Sequence, residues 1–432
     1  MRTGAGHCVI TNELGTDIQG ATVGGVAEHI RDELEANALY FEDGDSSVLL
    51  VSCDFGGLEP EPTARARQAI AEATGVPEAS VIIGATHTGG PSVIPSNYLK
   101  PIDTAYLDRL HGWLVALARE TIESAVPATV AAGLGKARIG YNRRCCWADG
   151  SHSMHGKTDR ADFTGMEGAE DDDHTALVAR GPDGNVIGVL HINTAHPCSF
   201  YGASFYSADF PGTARSYLRE VLGDIPVLFF NGAFGDIGTI CQLSSNGIPQ
   251  GGEKQMLRVA HQVAGETLRL LHETEFRESA PLAHAMEELE LPVRLPSEEV
   301  LRRAEETLAR VDAGEKIPPF EIVFAHGSAL LQRTFGEHPV DTLRVHAVRV
   351  GDFALVTQPT ELFCQFGLDI KRRSPYPHTA VCSICDEYHG YCPTTEAIIG
   401  GGYSAKPIYW TRLCSDAGYR IVDCACRLLA QL

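Results

Sequence analysis

Four separated stretches bring residues with metal-ligating or proton-transferring chemistry to the ends of apolar runs. In 81–91, VIIGATHTGGP, a β-branched run stops at His87 and a double glycine, Gly89-Gly90, which lets the chain turn sharply and leaves space beside the imidazole. In 185–200, NVIGVLHINTAHPCSF, the run 186–192 is followed by His196, and Pro197 biases that histidine towards an extended backbone that projects its side chain. One histidine in a strand-to-loop turn is more often satisfied by a backbone partner than by a metal. Two built alike form a candidate metal pair. Ala354 to Phe363, ALVTQPTELF, adds Glu361 at an expected helix start, and Tyr388-His389-Gly390-Tyr391 follows the run 378–385.

The elements that must position these side chains alternate between strand and helix. Residues 46–54 read as a strand, 62–74 as a helix and 81–86 as a strand, a β-α-β unit that favours a parallel pair. Residues 98–125 carry Leu107, Leu110, Leu114 and Leu117 on one face of a long amphipathic helix. Further helices are expected over 255–275, 296–313 and 417–429, with 314–320 a surface connection. The fold class is α/β: mixed, largely parallel sheets flanked by helices, in one domain over 1–432 with 287–341 as an insertion or subdomain.

Composition narrows the partners. The chain has 432 residues, 44% hydrophobic and 21% charged, and a formal charge of −21. That charge argues against a phosphate-backbone binder, so no nucleic acid is expected. There is no secretory h-region or spanning run, and no basic amphipathic anchor, so a cytoplasmic protein without tight membrane association is expected. Thirteen cysteines, an odd number in apolar contexts, suit reduced core thiols. Cys382-x-x-Cys385 lacks the second pair of a four-thiolate zinc site, and its β-rich setting favours a structural role. The acidic turn 165–174 lacks EF-hand spacing, and no phosphate-binding glycine loop is present.

The segments ATHTGGP, HINTAHPCS, FFNGAFGDI, QPTELFCQFGLDIKRRSP and DEYHGYCPTTEAI occur in the order in which the neutral/alkaline ceramidases carry theirs. The chain resembles that family from its opening GHCVITNELGTDIQG to about Trp410. The resemblance implies one zinc ion, held by His87, His196, Glu361 and Tyr391, and an arginine near the substrate at Asn142-Arg143. The alternative for Arg143 and Arg144 is a surface pair. Two positions depart: Gly89 stands where the family has a second histidine, and Gly238 where it has a serine. Family members add a C-terminal β-sandwich, for which no room is expected here.

The expected chemistry is hydrolysis of a small or medium acyl-amide by metal-activated water. Arg143 or the Asn231 to Gly235 amides would stabilise the developing oxyanion. Asp54, Asp209, Asp236 and His389 are candidates for moving protons or orienting ligands, although Asp209 before a proline-led helix equally suits a cap. Arg143, Asn231, Gly235 and Tyr403 are the expected substrate contacts. The alternatives are a metal-dependent isomerase or lyase that stabilises an enolate, and a catalytically silent binding relative. Association into a homo-oligomer is open.

Overall fold

The structure is a computed structural model that describes residues 1–18, 25–88, 103–243, 251–277 and 280–432. Gly89 and Gly90 lie outside the described residues, as does the start of the helix expected from residue 98.

Three sheets dominate. The first runs 81–85, 46–53, 35–43, 2–9 and 126–127; the second 227–231, 186–193, 173–180 and 129–136; the third 282–292, 340–350, 353–357 and 378–382. Each contains one parallel pair: Ser46–Cys53 with Val81–Ala85, Val186–Asn193 with Val227–Asn231, and Phe353–Thr357 with His378–Cys382. Between the members of each pair lies a helix, Pro60–Thr74, Asp209–Leu222 and Cys364–Arg373 respectively. Every other pairing within the three sheets is antiparallel. The α/β class therefore holds, with parallel pairing confined to one β-α-β unit per sheet.

The three sheets share one apolar centre, where Leu50 and Ile82 meet Leu190 and Phe230 of the second sheet and Leu355 and Ala380 of the third. Their outer faces are covered separately. Helices Pro60–Thr74 and Thr104–Glu123 lie on the first, Asp209–Leu222 and Gly252–Glu273 on the second, and Cys364–Arg373 and Ala417–Leu429 on the third. Burial of both faces explains why the central strands read as unbroken apolar runs rather than as alternation. Gly84 is required at this centre, because a Cβ there would lie 2.8 Å from the Phe230 ring.

Residues 293–339, between two strands of the third sheet, carry two helices, Glu298–Asp312 and Pro319–Phe335. The two ends of the expected segment 287–341 fall within Leu282–Pro292 and Val340–Val350, which are paired strands of that sheet. The second helix was not expected, and it packs on the loop before the C-terminal helix through Phe324 and Trp410, whose ring centroids are 5.3 Å apart. Among the described residues no helix is long and apolar enough to cross a membrane.

Arg144 corrects the expectation of a surface arginine pair. It is fully buried, and its Nε donates to both Glu167 oxygens at 2.8 Å, while Nη1 reaches Ser404 Oγ at 2.9 Å. Replacing Glu167 with alanine leaves a buried guanidinium without its counter-charge and is expected to cost about 3–5 kcal/mol. Urea unfolding of Glu167→Ala measures this, and a loss under about 1 kcal/mol would show that the pair contributes little.

Buried His174, between Asn193 and Thr267, is held down to about 4 by burial, against the opposing Asn193 hydrogen bond. Its folded value lies below the unfolded one, so its contribution to stability is complete above about pH 6.5 and lost as pH falls through 4. The expected loss is about 3 kcal/mol. Urea midpoints of wild type and His174→Gln at both pH values check this: the variant should show the smaller acid-induced drop, and equal drops would contradict it.

Candidate metal centre and its surroundings

Each sheet delivers one ligand-capable side chain at the same end. His87 follows the strand Val81–Ala85, His196 follows Val186–Asn193, and Glu361 follows Phe353–Thr357. Their ligand atoms all lie within 4.8 Å of one another. His87 has φ +61°, a left-handed conformation that a non-glycine residue adopts only when its surroundings hold it. Two contacts hold it: its amide donates to Phe55 O at 2.8 Å, and its Nδ1 meets Gly56 O.

Glu361 departs from the expected helix start. It lies on the two-residue strand Glu361–Leu362, paired in parallel with Tyr391–Cys392, and the helix begins at Cys364. That pairing makes Glu361 and Tyr391 register partners. Tyr388, which sequence reasoning did not select, donates its hydroxyl to Glu361 Oε1 at 2.7 Å and so orients the carboxylate. The only sequence signal for it was its place in the Tyr388 to Tyr391 segment.

The protonation pattern suits a cation. His196 Nδ1 donates to Ile237 O at 2.8 Å, so the neutral ring presents a lone pair at Nε2. That lone pair faces Glu361 Oε2 at 2.9 Å, and His87 Nε2 is 3.6 Å from the same oxygen. Burial holds His196 down to about 3 and lowers His87. Burial pushes the Glu361 carboxyl up, but the facing His87 and His196 rings and the Tyr388 hydroxyl more than offset this and bring it to about 2. Two imidazole lone pairs and an anionic oxygen converge, and a divalent cation satisfies all three where a further proton would create a buried imidazolium. Nitrogen and carboxylate donors in this number fit zinc.

Arg143 lies beside this group and is buried. Its Nη2 donates to His196 Nε2 at 2.8 Å, Gly235 O at 3.0 Å and Tyr391 Oη at 3.2 Å. Burial pushes the Tyr391 phenol well above its usual value, with Glu361 and Tyr403 adding to the shift. Tyr403 joins it with ring centroids 5.9 Å apart. Phe234 closes the apolar side, 4.8 Å from the His87 ring and 4.5 Å from that of His196.

The remaining candidates are engaged elsewhere. Asp54 Oδ2 accepts from Arg215 at 2.7 Å and from the Glu35 amide at 2.9 Å, clamping a helix to the first sheet. Asp209, at φ +54°, accepts from the Ser199 amide and hydroxyl at 2.7 and 2.9 Å and shapes the loop after His196. Asp236 accepts from the Asn142 side chain and the Cys364 amide, both at 2.8 Å. His389 donates one ring nitrogen to Asp341 at 2.8 Å and the other to Glu387 at 2.7 Å, which leaves no lone pair for a substrate proton. Burial opposes its charge, yet these two carboxylates raise its pKa. Each of these four side chains thus has hydrogen-bond partners outside the group of His87, His196 and Glu361.

Among the Asn231 to Gly235 amides, those of Gly232 and Gly235 are engaged within the protein. The Gly235 amide donates to Leu362 O at 2.8 Å and the Gly232 amide to Asn193 O at 2.7 Å. Asn231 spends its side chain on Ala195, donating to its carbonyl at 2.8 Å and accepting from its amide at 3.3 Å. Gly235 is needed for close approach, because a Cβ there would lie 2.3 Å from Glu361 O. Cys382 and Cys385 are buried free thiols, and among the described residues His87, His196 and Glu361 form the one converging group of histidine, cysteine or acidic ligands.

No protein-family model matches the chain, and no curated protein matches it in sequence. Solved structures do. A ceramidase complexed with C2 superposes with a TM-score of 0.76 at 16% identity, over 99% of this chain and 74% of its own. A neutral ceramidase from Pseudomonas aeruginosa gives 0.74 at 16% identity, over 100% of this chain and 75% of its own. The chain has the neutral ceramidase fold. Within that ceramidase fold, Gly238, the position the sequence resemblance aligns with a serine, lies against Arg143: a Cβ there would be 3.3 Å from Arg143 Cδ. Gly238 is therefore close to Arg143, whose Nη2 contacts His196.

Proposed function

We propose that the protein is a zinc-dependent hydrolase that cleaves the amide bond of a small or medium acyl-amide other than ceramide. The convergence of the His87 and His196 lone pairs with the Glu361 carboxylate carries this reading. His87, His196 and Glu361 would hold the ion, with Tyr391 as a fourth ligand. When bound, zinc supplies Lewis acidity towards a carbonyl oxygen and lowers the pKa of water to roughly 7.

The chain's own groups then divide the work. Tyr388 fixes Glu361 in place, and Phe234 keeps one wall dry. Arg143 is the nearby cationic donor for negative charge developing on the acyl oxygen, a role that the engaged Gly232 and Gly235 amides cannot fill. Burial raises the pKa of the Tyr403 phenol, which keeps its proton and gives it to the leaving nitrogen. Glu361, ionised, does not.

Water is the attacking group in this reading, because among the described residues neither Gly238 nor Cys198 offers an activated nucleophile. Gly238 has no side chain. The Cys198 thiol, electrostatically close to Arg143 and Glu361, is pushed up to about 12 by burial and stays protonated.

The test is turnover of a panel of N-acyl amines, ceramide included, by purified zinc-loaded protein in oxygen-labelled water. The expected outcome is amine release fastest from short and medium acyl groups, label in the released acid and no burst of a covalent acyl-enzyme. Preference for ceramide would overturn the substrate assignment, a trapped acyl-enzyme the nucleophile, and absence of amine release across the panel the activity.

A further inference from the structure

Arg143 and a metal ion require the same atom. His196 Nδ1 is committed to Ile237 O, so Nε2 has one lone pair, and Arg143 Nη2 donates to it at 2.8 Å. A zinc–imidazole bond runs along that lone pair at about 2.0–2.1 Å. The lone pair cannot serve both partners. Arg143 Nη2 also touches Tyr391 Oη, a second member of the proposed ligand set. The guanidinium is unevenly used: Nη2 serves three acceptors, whereas Nε is buried with no hydrogen-bond partner.

We propose that Arg143 and the metal compete for His196 Nε2, so that metal binding releases Arg143 from His196 and turns its spare donors towards the acyl oxygen of the substrate. Room for the movement comes from Gly238, where any side chain would begin 3.3 Å from Arg143 Cδ. Gly235 O, which lies outside the proposed ligand set, keeps Arg143 next to the centre as it turns. Arg143 is then a metal-responsive positioning arm as well as a charge donor. The inference rests on the metal-site reading and adds to it a sign that the reading alone does not predict: removing a residue that contacts the site should strengthen metal binding.

The test is a zinc titration of the whole protein against a chromophoric chelator at near-neutral pH, with wild type, Arg143→Met and Arg143→Lys. Loss of a charge-assisted hydrogen bond competing for the ligand, and of a neighbouring positive charge, should tighten zinc binding in Arg143→Met by about tenfold. Arg143→Lys, which keeps the charge but shortens the reach and loses the fork, should fall between the two. If circular dichroism shows that Arg143→Met does not fold, Arg143→Lys decides alone, with tightening of about threefold expected. Binding of zinc by wild type with equal or weaker binding in the folded variants overturns the competition while leaving the metal site standing. Absence of zinc binding in all three proteins removes the metal site and the competition with it.

Discussion

Replacing His196 with alanine is expected to abolish zinc retention and lower amide hydrolysis to below about a thousandth of wild type, because it removes one of the four proposed protein ligands and the acceptor of Arg143 together. The fold should survive. His196 lies in the loop after its strand, not in the shared apolar centre, and the neighbouring chain is pinned independently by Asn231 on Ala195 and by Asp209 on Ser199. Metal content after dialysis, circular dichroism and turnover on one preparation check the three parts. A folded variant with wild-type zinc and activity would remove His196 from the site.

Arg143→Met is expected to lower turnover by about a hundredfold to a thousandfold, the range seen when one preorganised oxyanion donor is lost. Its pattern should separate it from the His196 variant. Zinc stays bound, kcat falls, and KM changes little if Arg143 acts mainly as charge develops on the oxygen. An unchanged kcat with a raised KM would instead place Arg143 in ground-state binding. No backbone amide of Gly232 or Gly235 is free to compensate, since each is already bonded within the protein.

What the sequence made legible followed from local pattern. His87 and His196 end apolar runs buried on both faces, so they stood out as strand-end residues, and the β-α-β unit through residues 46–85 could be read from its alternation of run, helix and run. The helix Ala417–Leu429 was legible to the residue. What escaped depended on partners distant in the chain. Glu361 looked like a helix start because Cys364–Arg373 follows at once, and only its pairing with Tyr391, thirty positions on, makes it strand. The Gly232 and Gly235 amides looked free because Asn193 O and Leu362 O, which occupy them, are reached only through the tertiary fold. Arg144 looked like a surface charge because Glu167 and Ser404 meet it from separate segments. The equivalence of the three β-α-β units was invisible for a related reason: apolar runs identify strands but not which sheets share a centre.

The most direct measurement is anomalous scattering at the zinc edge from a crystal of the zinc-loaded protein. The expected result is one peak in bonding contact with His87 Nε2, His196 Nε2 and Glu361 Oε2, with Arg143 drawn away from His196. No peak among these three side chains, or zinc held instead elsewhere on the chain such as at Cys382 and Cys385, would contradict the metal centre on which the proposed function stands.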